Sequence, residues 1–343
     1  MKINWGLIGL GNISNIFGEA FQNTKNSNLL AIASKNDQRL NTFKQKYFIE
    51  SNFCFKDYEM LIKCDKVDVV YISLPNSFHK EWIDKCLFYK KKFLVEKPAF
   101  NNFKDAKEVE DKILKEENFF SEGFMYKFNP QFKKIIELVR NNEIGKIISI
   151  KSTFGVNLIT KKKFFFFEKK RKIDPEGRLF SKKLGGGCIL DLGCYPISFS
   201  TSLISLQNEI NFEKFVIVNC KKEVGETGVD IDSSLEYIFD NEINVKVASS
   251  FKKNIGRKSI IKGTKGTIIV DDTWIDGKII SLVKDNNKKE YKFDNTINPY
   301  TLEIDNVSQS IINKSNCCLF PGTTFNETLI NTKILNDWIH EKK

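Results

Sequence analysis

Three short stretches of the sequence carry residue types that could do chemistry together. The first is Glu96-Lys97-Pro98, which follows an apolar run. An amine at the carboxyl end of a parallel strand points into the crevice where α/β proteins bind ligands. Pro98 must end such a strand, because it has no N–H to donate to a neighbour. The alternative is a solvated lysine before a turn, and the tripeptide alone favours that alternative.

The second stretch is a glycine-rich turn, Gly9-Leu10-Gly11-Asn12-Ile13-Ser14, between a predicted strand (2–8) and a predicted helix. In this context the Gly-x-Gly-x-x-Gly pattern is typical of dinucleotide binding. Gly9 would permit the tight turn, and Gly11 would let a pyrophosphate approach the helix N-terminus. Ser14 replaces the third glycine and is small enough for close packing of helix and strand. We therefore predict a dinucleotide site here.

The third stretch is Gly185-Gly186-Gly187, followed by Asp191 and Tyr195. The glycines would allow a ligand to approach the backbone. Asp191 and Tyr195 are four residues apart, so on a helix they share one face. A carboxylate and a phenol on that face predict a polar pocket. A helix start with a partly buried tyrosine is an equally good interpretation.

The residues after the second predicted strand (29–33) bear on the choice of cofactor. A free ribose 2′-hydroxyl usually meets an acidic residue about 20 positions past the glycines. Ser34 and Lys35 stand there instead, with Arg39 one turn further on. A hydroxyl and two cations suit a 2′-phosphate, which favours NADP over NAD. Asp37 is the counter-evidence, and ordinary exposed polar residues are the alternative.

The elements that must position these residues divide the chain in two. Strands and helices alternate over residues 1–123, which predicts a doubly wound parallel sheet. His79 falls in the first turn of one of its helices, near the crevice, although a structural histidine is equally expected. Residues 124–343 contain successive strands without intervening helices, which indicates an antiparallel sheet. The last predicted helix (326–341) closes this second domain, or alternatively packs on the first.

Composition limits the other classes of function. The chain has 343 residues, eight cysteines without a Cys-x-x-Cys pair and only two histidines, so we predict no metal site. Scattered cysteines and no leader segment predict reduced thiols in the cytoplasm, and no membrane-spanning run is expected. The formal charge is +11, with a basic, Phe-rich run from Lys161 to Lys172. That run predicts a nucleic-acid surface only as a less favoured alternative to a partly buried connection.

Taken together, these stretches resemble the Gfo/Idh/MocA family of oxidoreductases over almost the whole chain. The resemblance is closest to the subgroup with a tyrosine four residues after the aspartate, which includes glucose–fructose oxidoreductase, dimeric dihydrodiol dehydrogenase and NADP-dependent xylose dehydrogenase. It implies a Rossmann domain and an α+β domain with an open, mostly antiparallel sheet. That sheet would form a homodimer or homotetramer interface. Lys127 and Asn129 depart from the Arg and His that the family commonly carries at these positions.

The resemblance also implies site residues and an activity. Tyr195 would be the acid/base of hydride transfer with a sugar, polyol or related substrate. Because a free tyrosine has a pKa of about 10, Lys97 would favour its phenolate form, and Asp191 would bind a sugar hydroxyl. The implied cofactor, NADP with NAD as the alternative, would contact Gly9, Gly11, Asn12, Ile13, Ser34, Lys35, Arg39, Leu74, Pro75, Asn76, His79, Glu96 and Lys97. A cofactor-binding sensor or scaffold without turnover is the alternative function.

Overall fold

The computed structural model describes residues 2–163, 167–294 and 296–341. The chain forms two units, Met1–Phe128 with Thr296–Leu329, and Asn129–Asn295 with Ile330–Lys343. Both units are discontinuous in sequence, whereas the predicted domains are continuous stretches, 1–123 and 124–343. The predicted boundary stays a prediction.

The first unit is built on a parallel sheet with helices between its strands. The six strands lie in the order β3-β2-β1-β4-β5-β6 and every pair is parallel, so the direction of winding reverses between β1 and β4. This is the predicted doubly wound fold, and ligands bind such folds where the strand order reverses. The elements are β1 Ile3–Ile8, α1 Asn12–Ala20, β2 Ser27–Ala33, α2 Asp37–Tyr47, β3 Cys54–Phe55, α3 Tyr58–Lys63, β4 Val69–Ile72, α4 His79–Phe88, β5 Lys92–Glu96, α5 Phe103–Leu114 and β6 Phe120–Gly123.

The core of the first unit lies on both faces of its central strands. The strands β4 and β5 are almost wholly buried, as expected of parallel strands covered by helices on each side. Tyr71 of β4 stacks on Phe17 of α1, with ring centroids 3.7 Å apart. Trp5 of β1 packs against the same Phe17 ring. Aromatic burial therefore fixes α1 over the sheet directly behind the glycine turn.

The second unit is built on a mixed sheet of eight strands in the order β10-β11-β12-β7-β13-β14-β15-β16. Only the β12–β7 pair is parallel, which confirms the predicted mostly antiparallel sheet. Asp240 and Asn241, both with positive φ, turn β11 into β12. The elements are α6 Pro130–Arg140, β7 Ile147–Gly155, β8 Thr160–Lys163, β9 Phe167–Lys170, α7 Cys194–Ile204, β10 Phe215–Val224, β11 Asp230–Phe239, β12 Ile243–Ser250, β13 Ser259–Gly263, β14 Thr267–Val270, β15 Ile279–Lys284 and β16 Asn287–Lys292.

Two helices complete the described chain, α8 Pro299–Ile312 and α9 Phe325–His340. The helix α8 was not expected from the sequence, and it belongs to the first unit. Its buried face carries hydroxyls that form hydrogen bonds with β1 and α1 of that unit. Ser308 accepts a hydrogen bond from the Trp5 indole at 2.9 Å, and Thr301 donates one to the Ala20 carbonyl at 2.9 Å.

One helical stretch, 182–204, is long and apolar enough to cross a membrane by length and composition, contrary to the expectation from the sequence. Within the structure 94% of its apolar window is buried, as is typical of the core helix of a folded domain. Part of this stretch is the helical segment that carries Asp191 and Tyr195.

Candidate active site

The glycine turn lies where the strand order of the first unit reverses, between β1 and α1. Gly9 has φ +84°, and a Cβ there would lie 3.0 Å from the Ser73 carbonyl oxygen. The Ser14 hydroxyl donates to the Gly9 carbonyl and lies 2.7 Å from the Ser73 hydroxyl. Ser14 is fully buried, so its small size permits the close packing that was predicted.

Gly11 differs from Gly9, because a Cβ at this position would meet no atom within 4 Å. It precedes α1 in an extended conformation, and no side chain caps this helix. The first backbone N–H groups of α1 have no acceptor within the helix. They include those of Asn12, which is exposed, and Ile13, which is half-buried. A helix N-terminus with open space at a glycine fits a dinucleotide pyrophosphate.

The predicted 2′-phosphate residues gather after β2, which ends at Ala33 as expected. Ser34 is buried, and its hydroxyl accepts the Asn36 N–H at 3.1 Å. The Lys35 amine lies 5.7 Å from the centre of the Tyr58 ring, and the charge of exposed Arg39 opposes the rise in pKa that burial causes at the Tyr58 hydroxyl. Two exposed cations therefore flank one tyrosine.

Asp37, the counter-evidence for NADP, lies between Lys35 and Arg39 in the sequence. It is the first residue of α2 and forms an exposed ion pair with Lys56 at 2.9 Å. Because the strand ends at Ala33, Asp37 does not occupy the place where an acidic residue would bind a ribose hydroxyl.

His79 is the first residue of α4 and is fully buried. Its Nε2 lies 2.8 Å from the Leu74 carbonyl oxygen and its Nδ1 lies 2.9 Å from the Pro98 carbonyl oxygen. Burial lowers the pKa of His79 to about 4, so at neutral pH one nitrogen donates to one of these oxygens. His79 thus joins two chain segments, while Leu74, Pro75 and Asn76 are half-buried before it.

Lys97 is half-buried directly after β5, which ends at Glu96 as the proline predicted. The chain on both sides of it is held by buried groups. The Tyr71 hydroxyl donates to the Glu96 carboxylate. On the other side, the Ala99 N–H donates to Glu122 Oε1 at 2.9 Å.

The first unit also buries charged groups that the sequence did not reveal. Lys127 is 1% exposed and donates to Glu327 at 3.1 Å. Glu303, on α8, is buried beside Glu96, and neither of its carboxyl oxygens has a hydrogen-bond partner among the described residues. Burial raises the pKa of Glu303 well above its usual range, and the charge of Glu96 adds to this rise.

Asp191 and Tyr195 lie on one continuous helical segment of the second unit. Asp191 belongs to a π-helical turn, Ile189–Gly193, and Tyr195 is in the first turn of α7. The half-buried Tyr195 ring packs beside two aromatic rings that stack on each other, with centroids 5.2 Å from Phe154 and 5.8 Å from Trp274. These ring contacts restrict the orientation of the Tyr195 phenol.

Arg178 is a site residue that the sequence analysis missed. Its guanidinium donates to Asp191 Oδ1 at 2.9 Å. The Arg178 side chain is 58% exposed and the Asp191 side chain only 12%. An exposed guanidinium therefore binds a mostly buried carboxylate. The residues between β9 and the helical segment gave no periodic signal by which Arg178 could have been found.

Two of the glycines before Asp191, Gly186 and Gly187, lie directly against other residues of the second unit. The approach of a ligand to this glycine stretch stays a prediction. A Cβ at Gly187, which has φ +115°, would lie 2.5 Å from the Asp230 carboxylate. One at Gly186 would lie 2.6 Å from the Leu179 carbonyl oxygen. Asp230 in turn accepts the Ile189 N–H at 2.6 Å, so the glycines admit the carboxylate that begins the helical segment.

Two strands within the basic run, β8 and β9, pair antiparallel. Residues 164–166 of the run lie outside the described part of the chain. Five described cations line a cavity of about 590 Å³, Lys161, Lys169, Lys170, Arg171 and Lys172. Lys170 pairs with Glu226 at 3.0 Å. Nucleic-acid binding by this run stays the less favoured prediction, and salt-dependent filter binding tests it.

Known proteins similar to this chain include enzymes of sugar and diol metabolism. It is 30% identical to trans-1,2-dihydrobenzene-1,2-diol dehydrogenase of Xenopus tropicalis, over 86% of this chain and 82% of that one. It is 28% identical to D-xylose 1-dehydrogenase (NADP(+)) 2 of Haloferax volcanii, over 64% of this chain and 61% of the relative. The aldose-aldose oxidoreductase of Caulobacter crescentus, solved with glycerol, superposes with a TM-score of 0.84 at 19% identity, covering 98% of this chain and 96% of that one. This last likeness shows the fold alone.

Two family models match in the predicted order. Residues 3–124 match an oxidoreductase family with an NAD-binding Rossmann fold, and residues 132–269 match the GFO/IDH/MocA C-terminal domain. The matches confirm the predicted fold class and the prediction of an NAD(P)-dependent oxidoreductase. The chain belongs to the GFO/IDH/MocA family of oxidoreductases.

Proposed function

We propose that this oxidoreductase transfers hydride between NADP and a sugar, polyol or related hydroxyl compound. The names of the dihydrodiol and xylose dehydrogenases to which it is similar support this substrate class. The observation that carries the proposal is the Asp191–Tyr195 segment, where a phenol packed against two aromatic rings follows a carboxylate bound by Arg178. An acid/base beside a hydroxyl-binding carboxylate is what alcohol oxidation requires of the protein.

Each of the three proposed catalytic residues has one role. Tyr195 takes the proton of the substrate hydroxyl during oxidation and returns it during reduction. Lys97 favours the phenolate form of Tyr195 by its charge, because an opposite charge stabilises an ionised neighbour. Asp191 accepts a hydrogen bond from a second substrate hydroxyl, and Arg178 orients the Asp191 carboxylate through their ion pair.

The residues of the first unit fit the proposed cofactor. The glycine turn and the N-terminus of α1 would hold the pyrophosphate, since Gly11 leaves open space there. Ser34, Lys35 and Arg39 would bind the 2′-phosphate of NADP. When bound, the cofactor supplies the hydride chemistry at its nicotinamide ring.

Two variants test the catalytic roles against cofactor binding. Lys97→Met and Tyr195→Phe each remove a reacting group with little change in volume. We expect either variant to lower kcat at least about 100-fold, the usual contribution of a positioned acid or base. NADPH binding, measured by fluorescence, should stay within threefold for Tyr195→Phe. A screen of aldoses, polyols and nucleotide sugars with NADP identifies the substrate, and full turnover in both variants would overturn the mechanism.

We also propose a cytoplasmic homodimer or homotetramer formed through the mixed sheet of the second unit. All eight cysteines lie in the described residues and none forms a disulfide, which supports a reducing compartment. Val216 and Val218 on the edge strand β10 are about half exposed, which supports an apolar contact at this sheet. Light scattering of the purified chain, with Val216→Lys as the interface variant, tests the assembly. Cell fractionation tests the location.

A further inference from the structure

Glu122 is a buried carboxyl of the first unit to which the proposed reaction gives no role. It lies on β6 and is 4% exposed. Its Oε1 accepts the Ala99 N–H at 2.9 Å, and its Oε2 accepts the hydroxyl of Thr328, on α9, at 2.6 Å. Both oxygens therefore have partners, and one partner is the backbone two residues after Lys97.

We propose that Glu122 is a positioning residue that fixes Lys97 by holding the N–H of Ala99. This inference rests on the proposed function, in which Lys97 acts on Tyr195. Three buried side chains bind the residues next to Lys97 in sequence. Tyr71 binds the Glu96 carboxylate, His79 contacts the Pro98 carbonyl, and Glu122 binds the Ala99 N–H. These contacts fix the backbone on each side of Lys97, so the Lys97 side chain extends from a defined backbone position.

A buried acceptor is needed here because Ala99 is fully buried. Without Glu122 its N–H would have no acceptor and no access to water, so the segment would have to move to pair it. Burial disfavours an ionised carboxylate at this position and therefore raises the pKa of Glu122 to about 7. An apolar side chain of similar size would avoid that penalty but leave the N–H unpaired.

The bond to Ala99 does not depend on the charge of Glu122. If Oε2 is protonated, it donates to the Thr328 hydroxyl while Oε1 still accepts the Ala99 N–H. A glutamine can make the same two contacts, with its carbonyl oxygen toward Ala99 and its amide nitrogen toward Thr328. A methionine fills the same space and makes neither. Comparing these two variants therefore separates the acceptor from the charge.

The experiment compares Glu122→Gln, Glu122→Met and a matched control, Thr301→Val. The control removes a different buried hydrogen bond of the same unit, from Thr301 to the Ala20 carbonyl. We expect Glu122→Gln to keep kcat within about threefold of the wild type, and Glu122→Met to lower it at least about tenfold, because it lets Lys97 shift. NADPH binding should change less than threefold in both. Thr301→Val should lower the Tm like Glu122→Met without lowering kcat.

The pH profile supplies a measure that simple destabilisation would not move. With Lys97 displaced, Tyr195 loses part of its stabilising charge, so the midpoint of kcat/KM for oxidation should move to higher pH in Glu122→Met and stay in Glu122→Gln. Hydrogen exchange across residues 96–102 should rise in Glu122→Met alone, and it requires no turnover. If Glu122→Met does not fold, Thr328→Val, which frees the carboxyl to rotate, should lower kcat about threefold.

Equal losses in Glu122→Gln and Glu122→Met would overturn the inference, because the charge would then matter. Full kcat in Glu122→Met, or in Thr328→Val where it replaces that variant, would overturn it as well, as would a kcat loss in Thr301→Val equal to that of Glu122→Met. Lys97→Met separates the two levels of the argument. Full turnover in Lys97→Met overturns the proposed role of Lys97 on which this inference rests, whereas loss in Lys97→Met with full activity in Glu122→Met overturns only the positioning role.

Discussion

The Arg178 guanidinium donates to one oxygen of Asp191, 13 residues further along the chain, at 2.9 Å. The two residues approach the same surface from different directions, one from an irregular segment and one from a π-helical turn. Arg178 thus orients the carboxylate that we propose binds a substrate hydroxyl.

Replacing Arg178 with methionine tests this orientation. Because Arg178 is more than half exposed, the free energy of unfolding should fall by less than about 1 kcal/mol. The KM for the sugar should rise about tenfold, since the Asp191 carboxylate loses its fixed direction. Steady-state kinetics and thermal unfolding measure both effects. Lys252→Met, which breaks the exposed pair of Lys252 with Glu223 in the same unit, should change neither, and an unaltered KM in Arg178→Met would contradict the role.

Substituting alanine at Gly11 should weaken cofactor binding, whereas substituting alanine at Gly9 should destabilise the fold. A Cβ at Gly11 meets open space, so Gly11→Ala should leave the Tm within about 2 °C but raise the Kd of NADPH at least about tenfold, or ~1.4 kcal/mol. Gly9 has a positive φ and no room for a Cβ, so Gly9→Ala should destabilise the fold by about 1–2 kcal/mol or more. Fluorescence titration and thermal unfolding separate the two. Equal Kd values for Gly11→Ala and the wild type would exclude this turn as the pyrophosphate site.

The parts of the site that the sequence predicted are those set by local rules. The strand, glycine turn and helix around Gly9 and Ser14 are contiguous, and the end of β5 follows from Pro98 alone. Each of these features depends on backbone conformation within a few residues. The position of Lys97 after a buried strand could therefore be predicted without any knowledge of its neighbours.

The parts that could not be predicted depend on contacts between residues far apart in sequence. Glu122 meets Thr328 across 206 positions, and no local pattern marks either as a partner. The helix α8 was missed because its buried face includes Thr301, Ser308 and Ser310, which weakens the apolar periodicity that predicts a helix. The close approach of Asp230 to Gly187 could not be predicted, because that carboxylate lies on a strand far away in sequence.

Removing the cations after β2 tests the choice of cofactor. Lys35→Ala combined with Arg39→Ala should raise the Kd of NADP at least about tenfold, because charge-assisted bonds to phosphate contribute about 1.5–3 kcal/mol each. The Kd of NAD, which lacks the 2′-phosphate, should change less than threefold. Lys56→Ala, which removes an exposed cation paired with Asp37, serves as the control. Equal weakening of NADP and NAD would remove the phosphate role of these residues.

Glu122 and His79 should make the free energy of unfolding depend on pH in opposite directions. The native pKa of Glu122 is raised to about 7, so native Glu122 holds its proton in a range where the unfolded chain has lost it. Stability from this group is complete below about pH 4.5 and decreases as the pH rises through 7. The native pKa of His79 is lowered to about 4. Its contribution is complete above about pH 6.5 and is lost as the pH falls through 4.

Because the two dependences oppose each other between about pH 4.5 and 6.5, the Glu122 contribution is best measured as a difference between proteins. The free energy of unfolding of Glu122→Gln minus that of the wild type should increase between pH 5 and pH 8, by about 2–3 kcal/mol, since the amide does not titrate. Denaturant unfolding at the two pH values measures it, and Thr301→Val should show a constant difference. A constant difference for Glu122→Gln as well would mean that the carboxyl titrates near its ordinary value, with water reaching it in the folded protein.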